Sequence, residues 1–141
     1  MDGIGGMMEK KVIEGAYQGK KKEANDFGAI AEEKAAQEYM RRGYTVLARR
    51  WRMGKTEIDL IVQNEDTVVI VEVKARKTTE EDALESVTPD KRRRMVRAAD
   101  SYIRSLKGEF TYRFDIVACH GSVNDIQMTI YEDAFTAAEL F

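Results

Sequence analysis

Residues 57–76, EIDLIVQNEDTVVIVEVKAR, constrain this chain more tightly than any other stretch. Two β-branched, apolar runs flank a polar turn at Asn64–Asp66, the pattern of an antiparallel hairpin. Four charges interrupt those runs: Glu57, Asp59, Glu72 and Lys74. Side chains alternate between the faces of a strand. Alternation puts Glu57, Asp59 and Ile61 on one face and Ile58, Leu60 and Val62 on the other. On the second strand, Glu72 and Lys74 lie opposite the face of Val69, Val71 and Val73. A four-residue loop, Asn64 to Thr67, pairs Gln63 with Val68. Asp59 then falls opposite Glu72, and Glu57 opposite Lys74. Directly opposed Cβ atoms lie about 4.5–5.5 Å apart, so this register gathers three carboxylates and an amine on one patch. A slip of one residue would scatter them.

Facing carboxylates repel, and burial worsens the repulsion. A proton, a lysine or a cation must offset it. A hard divalent ion suits: magnesium takes one or two carboxylates, keeps several waters and binds substrate phosphate. Such an ion polarises a phosphoryl oxygen and acidifies a bound water, and Lys74 beside it is placed to orient that water or offset charge in the transition state. The chemistry suggested is metal-assisted phosphodiester hydrolysis. The same residues also fit a plainer reading, in which Glu57 and Lys74 form an ordinary cross-strand ion pair, Asp59 is solvated at a strand end, and the second strand is half-exposed.

The rest of the chain supplies a setting for the hairpin. Its 141 residues suit one domain, and 43% hydrophobic with 34% charged residues mark it as globular. Residues 1–24 are rich in Gly and Lys with little periodicity, so they are expected to form a flexible arm ahead of a single domain over 25–141. Residues 25–42 repeat apolar Phe27, Ile30, Ala31, Ala35 and Tyr39 at helical spacing, and Gly43 stops that helix. A strand follows at YTVLARRW, then the hairpin, then a polar loop, RKTTEEDALES. Thr88 and Pro89 make a hydroxyl cap with proline at the first helical position, opening a helix to about Leu106. Strands are expected at TYRFDIVACH and IQMTIYE, and DAFTAAELF is expected to close as a short helix. The order α-β-β-β-α-β-β predicts an α/β domain with a mixed sheet flanked by helices.

Val68 to Val71 is the longest unbroken aliphatic run, far short of a membrane span. The N-terminal residues have no apolar core of the signal-peptide kind, and the single Cys119 has no partner for an internal disulfide. Both fit a reducing cytoplasm. Net charge is −2, yet residues 41–55 hold six basic residues and no acidic one, and 91–107 hold seven against one. A near-neutral total therefore hides a basic face. Arg50, Arg52, Arg76, Lys91 and Arg92 are the candidate nucleic-acid contacts, the last two at a helix N-terminus, where the backbone favours phosphate. Trp51, Cys119, Tyr102 and Ile103 are expected in the core. Arg113 and Asp115 are expected to form an ion pair, and His120 to sit in a turn.

Asp59, twelve residues, then Glu72-Val73-Lys74 resembles the PD-(D/E)XK nuclease signature. With GAIAEEKAAQEYMRRGYTVLARRWR, EIDLI, VEVKAR, TPDKRRR and RFDIV, the stretch from Phe27 to Cys119 resembles the YraN family, bacterial predicted endonucleases similar in fold to archaeal Holliday-junction resolvases. The resemblance implies a restriction-endonuclease-like fold and a magnesium- or manganese-dependent DNA endonuclease acting on branched or structured DNA, with RNA left open. It implies Asp59 and Glu72 as metal-binding carboxylates, Lys74 as the catalytic lysine and Glu32 as an added carboxylate on the first helix, with Glu33 its more solvent-facing neighbour. The Val73 carbonyl would complete the metal shell. Glu57 would support the site from behind or partner Lys74. Resolvases of this shape act as dimers, which makes a homodimer the expected assembly.

The chain departs from the family pattern in three places. Thr56 stands where a glycine usually precedes EID, Arg50 where asparagine is frequent, and KTTEEDALES in place of a Phe-Gly-like loop. Two readings from other classes stand beside the nuclease. A non-catalytic nucleic-acid-binding module would keep salt-sensitive binding without Asp59. A protein-interaction factor in DNA processing would bind no nucleic acid.

Overall fold

A computed structural model describes residues 26–76 and 83–141 of the protein. The arm expected over 1–24 and most of the polar loop, 77–82, lie outside the described residues. Helix α1 covers 26–41 and is followed by strands β1 (Thr45–Met53), β2 (Thr56–Asn64) and β3 (Thr67–Arg76). Next come the short helix α2 (Ala83–Ser86), the long helix α3 (Pro89–Ser105), and strands β4 (Thr111–Ser122) and β5 (Asp125–Phe135).

Local chemistry sets the ends of these elements. Gly43, at φ 95°, takes the left-handed position past the end of α1. Its N–H bonds to the Met40 carbonyl, and the Tyr44 N–H reaches back to that of Tyr39, both at 3.0 Å. These two bonds make a Schellman motif, and the Tyr39 and Tyr44 rings meet edge to face at 5.3 Å across it. At α3 the Thr88 hydroxyl accepts from the Lys91 N–H at 3.2 Å, with Pro89 at the first position, as the sequence indicates.

The five strands form one sheet in the order β1-β2-β3-β4-β5. All neighbours are antiparallel except β3 and β4, which run parallel with α3 as their crossover. Helix α1 covers one face, where Ala31, Ala35 and Tyr39 pack on Leu60, Val62, Val69, Val71 and Val117. Helix α3 covers the other, where Met95, Ala98 and Ala99 pack on Ile58, Ile61, Ile70 and Ile116. Burial from both sides explains why β3 reads as a continuous run of valine and isoleucine. The fold is thus α/β and restriction-endonuclease-like, a mixed sheet flanked by helices. No helix among the described residues is long and apolar enough to cross a membrane.

The chain's end differs from expectation. β5 runs on to Phe135, whose ring stacks on Phe114 at 4.7 Å, and only Ala137–Glu139 makes a single 3-10 turn. Phe135 is buried, and its anchoring extends the strand through residues that local propensity assigns to a helix.

A second difference lies in β2. Leu60 and Val62 share the α1 face as strict alternation requires, but Ile58 packs on the α3 face with Ile61. The side-chain alternation slips at Asp59. The β1–β2 register skips the same level: Arg49 pairs with Leu60 and Trp51 with Ile58, leaving Arg50 and Asp59 out of the ladder. Arg50 has φ 48°, in the left-handed region. That conformation costs a residue with a Cβ roughly 1–2 kcal/mol. Asparagine bears it more easily, which gives a physical reason for asparagine at this position in the resembled family.

Candidate functional site

The hairpin register is the one the loop length indicates: Gln63 pairs with Val68, and pairing continues to Leu60 opposite Val71. Beyond that level the strands part, and the Asp59 carboxylate takes over as acceptor. Its Oδ2 receives the Val73 N–H at 2.8 Å, a bond that ties the two strands through a side chain. Asp59 therefore stands in the gap between β2 and β3, where it reaches both Glu32 on α1 and Glu72 on β3.

Glu72 is 5% exposed and follows Ile70 on the α3 side of the sheet. Lys74 Nζ lies 3.6 Å from Glu72 Oε2 and Lys91 Nζ 3.9 Å from Oε1. Neither is within hydrogen-bond reach, and the buried Oε1 has no hydrogen-bond partner among the described residues. An orphaned buried carboxylate oxygen is costly, because desolvation is not repaid. Asp59 feels the same imbalance. Burial, then the charge of Glu72, pushes its carboxyl from 3.8 up to about 7, with a hydrogen-bonding contact to Glu72 adding to the rise and the Val73 N–H and Lys91 opposing it.

Glu32 joins from α1. Burial, then the charge of Asp59, raises its carboxyl above the ordinary value, against a bond from Arg50. Arg50 Nε donates to Glu32 Oε1 at 3.0 Å. Glu33 turns outward to Arg49 at 2.6 Å and is more exposed than Glu32. A cleft lined by Glu32, Arg49, Arg50 and Asp59 opens beside these groups.

The structure thus brings Glu32, Asp59, Glu72 and Lys74 to one region, with the Val73 backbone between the carboxylates. Glu57 stands at the edge of this region: it pairs with Arg52 at 3.1 Å, its ladder partner on β1, rather than with Lys74, and its charge still acts on Glu32 and Arg50. Of the basic candidates, Lys91 lies beside Glu72, and Arg50 beside Glu32. Arg52 is occupied by Glu57, and Arg76, at the exposed end of β3, bonds to the Ala75 carbonyl. Arg92 faces inward. Its guanidinium donates to the carbonyls of Leu84 and Val87, both at 2.7 Å, and lies over the Phe135 ring at 5.1 Å, so it caps α2.

Trp51 packs edge to face on Tyr102 at 5.2 Å, and Cys119 is buried, its thiol pushed up to about 11. His120 lies inside β4 rather than in a turn, with Nδ1 buried and unpartnered. The sequence pairs Arg113 with Asp115, and they meet at 2.9 Å. What it misses is that Asp115, fully buried, also accepts from the Tyr39 hydroxyl at 2.7 Å and the Asp133 N–H at 3.0 Å. This hub ties α1 to β4 two helical turns from Glu32 and so sets where Glu32 stands. An aspartate within the apolar run FDIV was the available signal.

Among the described residues, no three His, Cys, Asp or Glu side chains make a ready metal cage. Two carboxylates do suffice for magnesium, which fills its shell with water. The unpartnered Glu72 Oε1 and the repulsion that raises Asp59 are what a cation would relieve, so the residues present fit such an ion.

Comparison with known proteins assigns the chain to a family. The family described as "Uncharacterised protein family UPF0102" matches residues 31–119. A UPF0102 protein of Phocaeicola vulgatus is 33% identical over 114 residues, covering 80% of this chain and 94% of that protein. One from Parabacteroides distasonis is 37% identical over 117 residues, with the same coverage of 80% and 94%. One from Corynebacterium diphtheriae is 37% identical over 105 residues, covering 73% and 85%. The chain belongs to the UPF0102 (YraN) family.

Proposed function

We propose that the protein is a magnesium- or manganese-dependent endonuclease that hydrolyses phosphodiester bonds in DNA, with branched or structured DNA as its preferred substrate. One observation carries the reading: a carboxylate pair, half-buried Asp59 and buried Glu72, with one Glu72 oxygen unpartnered among the described residues and Lys74 alongside. Lys74 and Lys91 approach Glu72 without a hydrogen bond, so the chain offsets the repulsion between the two carboxylates only in part, and a bound cation would offset the rest.

Asp59, Glu72 and the Val73 carbonyl would hold the ion, with Glu32 as the added carboxylate. When bound, the ion supplies Lewis-acid polarisation of the phosphoryl oxygen and a more acidic water. The Val73 N–H fixes the Asp59 carboxylate through Oδ2 and so holds it between β2 and β3. Lys74 Nζ offsets charge that develops on the non-bridging phosphate oxygens, the role of a preorganised cation. Lys91, in the first turn of α3, adds a second positive charge next to Glu72. Two copies of the chain would be needed to cut both strands of a junction.

The test is cleavage of labelled single-strand, duplex, flap and four-way-junction DNA with magnesium or manganese. Wild type runs beside Asp59→Ala and Lys74→Ala purified in the same way. Metal-dependent cutting lost in both variants supports the reading, and cutting that survives both refutes it. The engagement of Glu32 by Arg50 favours one second reading, a nucleic-acid-binding module without catalysis. It predicts binding that persists in Asp59→Ala with no cutting by wild type.

A further inference from the structure

We propose that Arg50 is an exchangeable latch: it holds Glu32 in the free protein and yields that carboxylate to the Asp59–Glu72 pair when a nucleic-acid phosphate takes its guanidinium. The inference rests on the nuclease reading and deepens it by naming what completes the site. Strict alternation from Arg49 would send the Arg50 side chain to the face away from α1. The left-handed step at φ 48° instead lets two consecutive arginines reach α1, Arg49 to Glu33 and Arg50 to Glu32. The placement of Arg50 on Glu32 is therefore a product of the break in the ladder that also frees Asp59.

The grip is weak and open. Arg50 binds Glu32 through Nε alone, and its side chain is 57% exposed. An exposed ion pair of this kind is easily displaced. A phosphate can accept two parallel bonds from a guanidinium, which a carboxylate held through a single Nε contact does not provide. A backbone phosphate that reaches the cleft shared by Arg50, Glu32 and Asp59 thus competes on favourable terms. Val46 of β1 packs on the core cluster that includes Ala31, Ala35 and Tyr39 of α1, and this apolar contact keeps β1 against α1 when Arg50 leaves. Glu32, freed of its cation, then faces Asp59 with its charge unopposed, and a divalent ion is what removes that repulsion.

The experiment measures manganese binding without DNA, and DNA binding without metal, for wild type, Arg50→Asn, Glu32→Gln, the double variant and Asp59→Asn. Asparagine tolerates the left-handed backbone, so Arg50→Asn is expected to fold. The latch predicts that Arg50→Asn binds manganese about two- to fivefold more tightly, the worth of one exposed ion pair. The gain must vanish when Glu32→Gln is the background. In chelator, the same variant binds DNA more weakly and loses about one from its log–log salt slope. If Asp59→Asn abolishes manganese binding while Arg50→Asn changes neither affinity nor slope, the latch is overturned and the metal site stands. If Asp59→Asn leaves manganese binding intact, the nuclease site is wrong and the latch falls with it.

Discussion

Asp59→Asn should make the protein more stable, and more so as pH rises. The Asp59 carboxyl moves from 3.8 to about 7 on folding because it is buried against Glu72. Its folded value is raised, so the native state binds more protons than the unfolded chain between these values. Stability is therefore lost as pH climbs from about 4 to about 7, and stays low above. A shift of this size makes the ionised group cost on the order of 4 kcal/mol at pH 8 and less than half of that at pH 5. Asparagine removes the charge and keeps an oxygen for the Val73 N–H, so the bond across the β2–β3 gap survives. Urea unfolding in chelator should show Asp59→Asn stabilised at pH 8 by about 2–3 kcal/mol more than at pH 5. Magnesium should raise the wild-type midpoint at pH 8 and leave the variant unmoved, since only the native carboxylate pair gains from the ion. Equal effects of the substitution at both pH values, or destabilisation at pH 8, would refute the claim that Asp59 is held in a strained, repulsive pair.

Other expectations follow from contacts away from that pair. Tyr39→Phe removes a 2.7 Å bond to the buried Asp115 and should cost about 1.5–3 kcal/mol in urea unfolding. Arg92→Met should lower stability by about 1–3 kcal/mol through two freed carbonyls of the α2 region, while leaving the salt slope of DNA binding as it is in wild type. Gly121→Ala should prevent normal folding of the β4–β5 end, as a Cβ there would sit 2.2 Å from the Asp125 carbonyl oxygen at φ 110°, and a thermal melt should report the loss. Cys119 should react with a thiol reagent at pH 8 only as fast as the core opens, because burial keeps the thiol protonated and enclosed.

Much of the frame was legible in the sequence because it rests on local rules. Gly43 ended α1 and Thr88-Pro89 opened α3 through backbone and capping chemistry that needs no distant partner. The hairpin register follows from loop length, and it holds from Asn64 opposite Thr67 to Leu60 opposite Val71, one level short of Asp59 and Glu72. The triplet Glu72-Val73-Lys74 could be read as a site because charges in a run of buried valines demand a reason.

What the tertiary structure decided was where those charges end up. Glu32 meets Asp59 only because α1 packs across the sheet face that β2 and β3 present, a contact between residues 27 apart in sequence. The left-handed step at Arg50 and the slipped alternation at Asp59 appear in no periodicity, since both are compromises between two strands at one level of the ladder. Glu57 pairs with Arg52, its ladder neighbour, because the β2–β3 pairing ends at Leu60 and Val71 and does not set Lys74 opposite it. Arg92 and Lys91, adjacent at one helix end, part company because α2 stands under one and Glu72 under the other. Spacing could nominate the charged residues of this chain. Burial and packing, which act between elements rather than along them, chose which would face one another.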